Sequence, residues 1–244
     1  MAQDGVLLRT TGLEKRFGGL RAVHNVDLEV HRGEVVGLIG PNGAGKTTLF
    51  SLISGAEKPS AGSIEFEGRA IAGLRPSRIA QLGIARTFQV VRPLPRLTVL
   101  ENVMIGAYCR VARKASAREI ALGWLEFTDL VHRRDSLARN LTIADRKRLE
   151  ITRALATQPR LLLLDEVMAG LTATETETAV ELLQRIRARG IAMVIIEHVM
   201  RVIMAISDRL IVLNYGERIA AGDPQTVASD PAVIRAYLGG NPGA

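Results

Sequence analysis

The chain has 244 residues, 47% of them hydrophobic, with a formal net charge of +7. That apolar content can bury a core, which excludes a disordered segment. The single cysteine, Cys109, excludes an internal disulfide and any zinc site resting on cysteines.

Aromatic residues make up only 4% of the chain and its Lys and Arg are scattered. A base-stacking platform is therefore not expected, and no nucleic-acid partner. The opening MAQDGVLLRT carries an early acid and no long apolar stretch, so no secretory signal is expected. Apolar runs such as Ile191–Ile196 are too short to span a bilayer. A role at a membrane would need a partner.

Taken in chain order, Val6–Thr11 and Val23–Val30 alternate as half-buried strands about a Gly18–Gly19 turn, which predicts an antiparallel start. Glu34–Ile39 is an apolar run that reads as a buried strand. Gly40–Thr48 follows, and Thr47–Ser54 reads as a helix. Ser63–Phe66 is a further strand, ending near Gly68. After Pro93 and Pro95 the pattern turns helical: Thr98–Tyr108, Ala115–Leu130 and Leu141–Ala156 carry apolar residues at helical spacing. Arg160–Leu164 returns to strand, Glu175–Arg189 to helix with Gly190 as its C-cap, and Ala192–Ile196 to strand. Val199–Ser207 is a helix and Leu210–Leu213 a strand. A turn at 215–217 leads into Arg218–Ala220, and Pro231–Leu238 is a short terminal helix. Strands alternating with helices define an α/β class.

Gly40, Pro41, Asn42, Gly43, Ala44, Gly45, Lys46 and Thr47 match G-x-x-x-x-G-K-[ST], with Thr48 next. Backbone N–H groups wrap a polyphosphate only where side chains do not block the approach, hence the glycines. The helix that follows points its positive end at the phosphates. Lys46 would reach the β/γ-phosphates, and the Thr47 hydroxyl would ligate Mg²⁺. The Leu161–Leu164 strand ends in Asp165–Glu166, at the carboxyl end where α/β sheets bind ligands. Asp165 would hold Mg²⁺ through water and Glu166 would orient or deprotonate the attacking water. A strand–helix–strand unit needs about 30 residues. The much longer stretch from Thr48 to Asp165 therefore holds an insertion, and it reads as helical.

The order of these motifs resembles that of an ABC transporter ATPase. Stretches such as Phe17-Gly-Gly-Leu20, Gly83-Ile-Ala-Arg-Thr-Phe-Gln89, Ile206-Ser-Asp-Arg209 and Val233-Ile-Arg-Ala-Tyr-Leu-Gly239 resemble the branched-chain amino-acid importer branch. The resemblance implies that Phe17 stacks on adenine with Val23 beside it. It also implies that Gln89 senses Mg²⁺ and that His198 contacts the γ-phosphate. A dimer-contact loop would lie at Gly170–Leu171.

The family's Leu-Ser-Gly-Gly-Gln signature, which reaches the partner subunit's ATP, reads here Leu141, Thr142, Ile143, Ala144, Asp145. Asp145 would need a cation near any phosphate, and Arg146, Lys147 and Arg148 adjoin it. Val167 and Thr172 stand where the family usually has Pro and Asp.

The implied fold is a P-loop nucleoside triphosphate hydrolase core (1–90 and 159–244) with an antiparallel β subdomain and an inserted helical subdomain (91–158). The implied function is ATP hydrolysis with Mg²⁺ coupled to import of branched-chain or other hydrophobic amino acids, with urea and amides taken by related members. Implied partners are a second ATP-binding subunit (identical or different), two membrane permease subunits and, indirectly, an extracytoplasmic solute-binding protein. The implied location is the cytoplasmic face of the bacterial inner membrane. The altered signature leaves open an ATP-binding but weakly hydrolysing subunit of an asymmetric pair.

Overall fold

A computed structural model describes residues 5–87 and 93–238. The chain divides into two units, one running to Pro76 and resuming at Ala192, the other spanning Ser77–Ile191.

The first unit opens with β1 (Val6–Phe17) and β2 (Leu20–His31), an antiparallel hairpin turning at Gly18–Gly19. Val26, Leu28 and Val30 of β2 are buried, while Asp27, Glu29 and His31 between them are exposed, the period-2 signature of a one-sided sheet. Val23 would fall out of phase with that set, and a register shift corrects it. Val23 lies opposite Lys15 and Val26 opposite Leu13, and Asn25 takes a left-handed φ of 48° between them. β4 (Ala61–Phe66) and β5 (Arg69–Ala70) complete this sheet in the order β2-β1-β4-β5.

The same unit holds β3 (Val35–Ile39), flanked in parallel by β8 (Ala192–Ile196) and β9 (Arg209–Asn214). Every residue of β3 and β8 is buried, so both read as unbroken apolar runs rather than alternating ones. β10 (Glu217–Gly222) pairs antiparallel with β9. The helices here are α1 (Lys46–Ile53), α7 (Met200–Ile206), α8 (Pro224–Ala228) and α9 (Pro231–Leu238).

In the second unit β6 (Ile84–Arg86) pairs in parallel with β7 (Leu161–Asp165). Helices α3 (Val99–Ala107), α4 (Lys114–Phe127) and α5 (Ile143–Ala156) share one core. Ala117, Ala121 and Leu125, one turn apart along α4, meet Val99, Val103 and Leu149 there. Asn102 is wholly buried, and its amide closes the 94–98 loop by accepting from Leu94 N and donating to the Leu94 and Thr98 carbonyls. Arg110 gathers the carbonyls of Gln81, Thr157 and Gln158, fastening the chain entering β6 to the end of α5. α6 (Ala173–Ala188) closes the unit, its start fixed by a reciprocal capping box between Thr172 and Glu175.

The expected elements are present, several of them longer than expected. β5, β6, α8 and α2 (Pro76–Leu82) were not expected. The first two are too short to show a period, and α2 buries only Ile79. The three expected helices between 91 and 158 do form a core of their own. The unit that contains them is larger than that span, and takes in β7 with its acid pair and α6.

Candidate functional site

In the first unit, the loop leaving β3 is the centre of interest. Gly45 caps α1 at φ 100°, with no side chain bonding the helix start and no acid in the first turn. A Cβ on Gly45 would lie 2.3 Å from the Ala22 carbonyl oxygen. The backbone can therefore close this tightly only with glycine. Lys46 is buried, and its Nζ folds back to donate to the carbonyls of Gly40 (2.7 Å) and Pro41 (2.9 Å). Thr47 is exposed at the first turn. The loop is braced from outside: Gly216 N–H donates to Ala44 O, and His24 N–H donates to Gly216 O. A tight backbone loop with no side-chain cap, no acid in the first helical turn and one buried ammonium has the chemistry to receive phosphate.

His198 follows β8, the parallel neighbour of β3, with Leu38 opposite Ile196. Both the loop and His198 thus leave the carboxyl ends of adjacent parallel strands. Phe17 ends β1, half-exposed, with Lys15 Nζ 4.7 Å from its ring centroid. Val23, on the paired strand β2, is completely buried.

In the second unit, Asp165 ends β7 and is 1% exposed. Arg86, on the adjacent β6, sets Nη2 3.1 Å from its Oδ2, and the Thr87 hydroxyl accepts from Asp165 N–H. A buried carboxylate needs such a partner, and nothing in the local sequence indicates one from a strand nearly eighty residues away. Glu166 takes φ 51°, a left-handed geometry uncommon for a side chain that is not glycine, Asn or Asp. Lys147, reaching in from α5, donates to its carbonyl oxygen at 2.9 Å. Gln89 lies outside the described residues.

The segment expected as the signature begins α5. The Thr142 hydroxyl accepts from Asp145 N–H at 3.1 Å, an ordinary N-cap. Ile143 is 61% exposed. The cation at Asp145 is Arg133, with Nε 3.8 Å away, not one of the three adjacent basic residues. Arg146 is drawn to Arg139 O and Lys147 turns to Glu166 O, because helical geometry points successive side chains in different directions.

Parallel strands feeding a glycine-rich loop and a lysine-headed helix define a P-loop nucleotide-binding protein. A family model described as ABC transporter matches residues 23–169, and one described as Branched-chain amino acid ATP-binding cassette transporter matches residues 217–241. The chain is 42% identical to the high-affinity branched-chain amino acid transport ATP-binding protein LivG of Salmonella typhimurium, with 96% of this chain and 98% of the relative covered. It is 39% identical to BraF of Pseudomonas aeruginosa, a protein of the same description, over the same shares. Among solved structures, a nucleotide-free ATP-binding cassette from an ABC transporter superposes with a TM-score of 0.88 at 34% identity, covering 95% of this chain and 98% of that one. An ABC transporter cassette in its ADP conformation gives 0.87 at 35% identity, with 96% and 99% covered. The chain belongs to the ABC transporter family and is one of its ATP-binding, ATP-hydrolysing subunits.

Proposed function

We propose that the chain drives import of branched-chain or other hydrophobic amino acids by binding and hydrolysing Mg²⁺-ATP. The observation that carries this reading is the uncapped, acid-free start of α1 behind the Gly40–Thr47 loop, with Lys46 held inside it. The cargo is supported by likeness to LivG and BraF and by the match over residues 217–241.

In this reading the N–H groups of Gly43 through Thr48 bind the β- and γ-phosphates, and Lys46 leaves its loop carbonyls to neutralise them. Phe17 stacks on the adenine, with Val23 packing beside it. Thr47 and Asp165, with Gln89, are hard oxygen donors suited to Mg²⁺, which would neutralise charge developing on the phosphates. Glu166 orients the attacking water and His198 bonds the γ-phosphate. Residues Thr142–Asp145 act on the ATP of a second ATP-binding subunit. Two permease subunits, served by an extracytoplasmic solute-binding protein, receive the motion at the cytoplasmic face of the inner membrane. Among the described residues no helix is long and apolar enough to cross a membrane, which suits a peripheral subunit.

A second reading is favoured by Asp145, a carboxylate at the α5 start where the signature would meet phosphate. There the chain binds ATP but turns it over slowly beside a more active partner. Uptake of labelled leucine by vesicles holding the chain with its permease and binding proteins tests the primary reading. ATP-dependent uptake abolished by Lys46→Ala is expected. Uptake that survives Lys46→Ala assigns the motor to the other ATP-binding subunit.

A further inference from the structure

The phosphate loop is also held from the end of the chain. Gly40, where the loop leaves β3, has φ 145° and lies against β9 so closely that a Cβ would sit 2.0 Å from Leu213 O. Backbone N–H groups at such a place need an acceptor. The acceptor is the phenol oxygen of Tyr237 on α9, 2.8 Å from Gly40 N and 197 residues away in sequence. The carbonyl of the same Gly40 accepts from Lys46 Nζ. One residue is thus gripped on its N–H by the tail and on its C=O by the phosphate-binding lysine. Burial pushes the Tyr237 phenol above its ordinary pKa, opposed by the Gly40 N–H bond, so it stays neutral.

α9 is seated for this role. Asp230 accepts at its start, through Oδ1 from Ala232 N and through its carbonyl from Ile234 N, and Val233 is buried. The helix lies against β10 and α8. All of these fall within the stretch 217–241 that matches the branch-specific family model.

We propose that Tyr237 is a positioning residue for the phosphate loop, and that docking of α9 and nucleotide occupancy stabilise each other. When phosphates draw Lys46 away from Gly40 O, the Tyr237 bond is the contact that keeps the loop's first peptide in place. Coupling of this kind is reciprocal: nucleotide must hold the tail as firmly as the tail helps hold nucleotide. This inference rests on the nucleotide-site reading of the loop.

The test uses the full chain, titrated with a fluorescent ATP analogue and followed by hydrogen exchange over residues 231–238. Tyr237→Phe removes only the hydroxyl. It should weaken nucleotide binding roughly two- to tenfold, the range for losing one neutral hydrogen bond. It should raise KM with kcat unchanged, lower Tm slightly because Gly40 N–H loses its acceptor, and abolish the extra tail protection that nucleotide gives the wild type. Tyr237→Ala should do the same with a larger fall in Tm, because it also removes the ring. If Tyr237→Phe matches the wild type in affinity and tail protection, the inference is overturned while the nucleotide site stands. If the wild type binds no ATP analogue, both fall.

Discussion

The two units build their candidate site residues by opposite means. In the first, the glycine-rich loop is made by leaving side chains out: glycine at the cap of α1, no side-chain cap and no acid in its first turn. In the second, the acid pair and the start of α5 are made of side chains already engaged. Arg86 holds Asp165, Lys147 holds the Glu166 carbonyl, Thr142 caps Asp145 and Arg133 stands beside it. A receptor for an anion works by absence. A catalytic carboxylate works only if something else keeps it charged and aimed.

Arg86→Met is the largest expected break, because it removes an ion-pair partner from a carboxylate that is 1% exposed. Removing one partner of a buried ion pair costs about 3–5 kcal/mol. Denaturant unfolding should show that loss, and the double change Arg86→Met with Asp165→Asn should recover much of it. A silent Arg86→Met would mean the pair does not hold the acid. Next comes Gly45→Ala, whose Cβ would meet the backbone oxygen of Ala22. Nucleotide affinity should fall on the order of a hundredfold, about 3 kcal/mol, with the circular dichroism spectrum retained. Binding that survives would show that the loop does not need its closed form.

Asp145→Asn sharpens the contrast from the other side. It should lower stability by about 0.3–1 kcal/mol, as a helix loses the acid in its first turn. If α5 faces a partner's phosphate, turnover in the assembled transporter should rise; a fall would give Asp145 a positive role.

The smallest effect is the change in pH dependence in Thr172→Ala, apart from the roughly 1 kcal/mol that losing this N-cap costs at any pH. The Thr172 backbone N–H and hydroxyl hold the Glu175 carboxyl below its ordinary value. A depressed carboxylate adds stability above its unfolded pKa, about 4.3, and loses it as pH falls through the lower folded value. Thr172→Ala removes the hydroxyl's share, so thermal melts from pH 5 to pH 3 should show a shallower acid loss than the wild type.

What the sequence made legible follows the same division. The phosphate loop is contiguous, so its residues announce both the strand before it and the helix after it. The Asp165–Glu166 pair was legible because a leucine strand precedes it. Arg86, Lys147 and Tyr237 were not, since each acts on a residue brought near only by folding. Arg86 and Tyr237 stood inside stretches that carried the family likeness, with no sign of what they would touch. The cation beside Asp145 is not legible either, because the helix turns Arg146 and Lys147 away and Arg133, twelve residues earlier, takes the place.

The most direct test is steady-state hydrolysis of Mg²⁺-ATP by the chain with its membrane subunits, comparing wild type, Lys46→Ala and Glu166→Gln. The account predicts turnover in the wild type, loss of nucleotide binding in Lys46→Ala, and in Glu166→Gln bound ATP without turnover. Turnover by Glu166→Gln at the wild-type rate would contradict it.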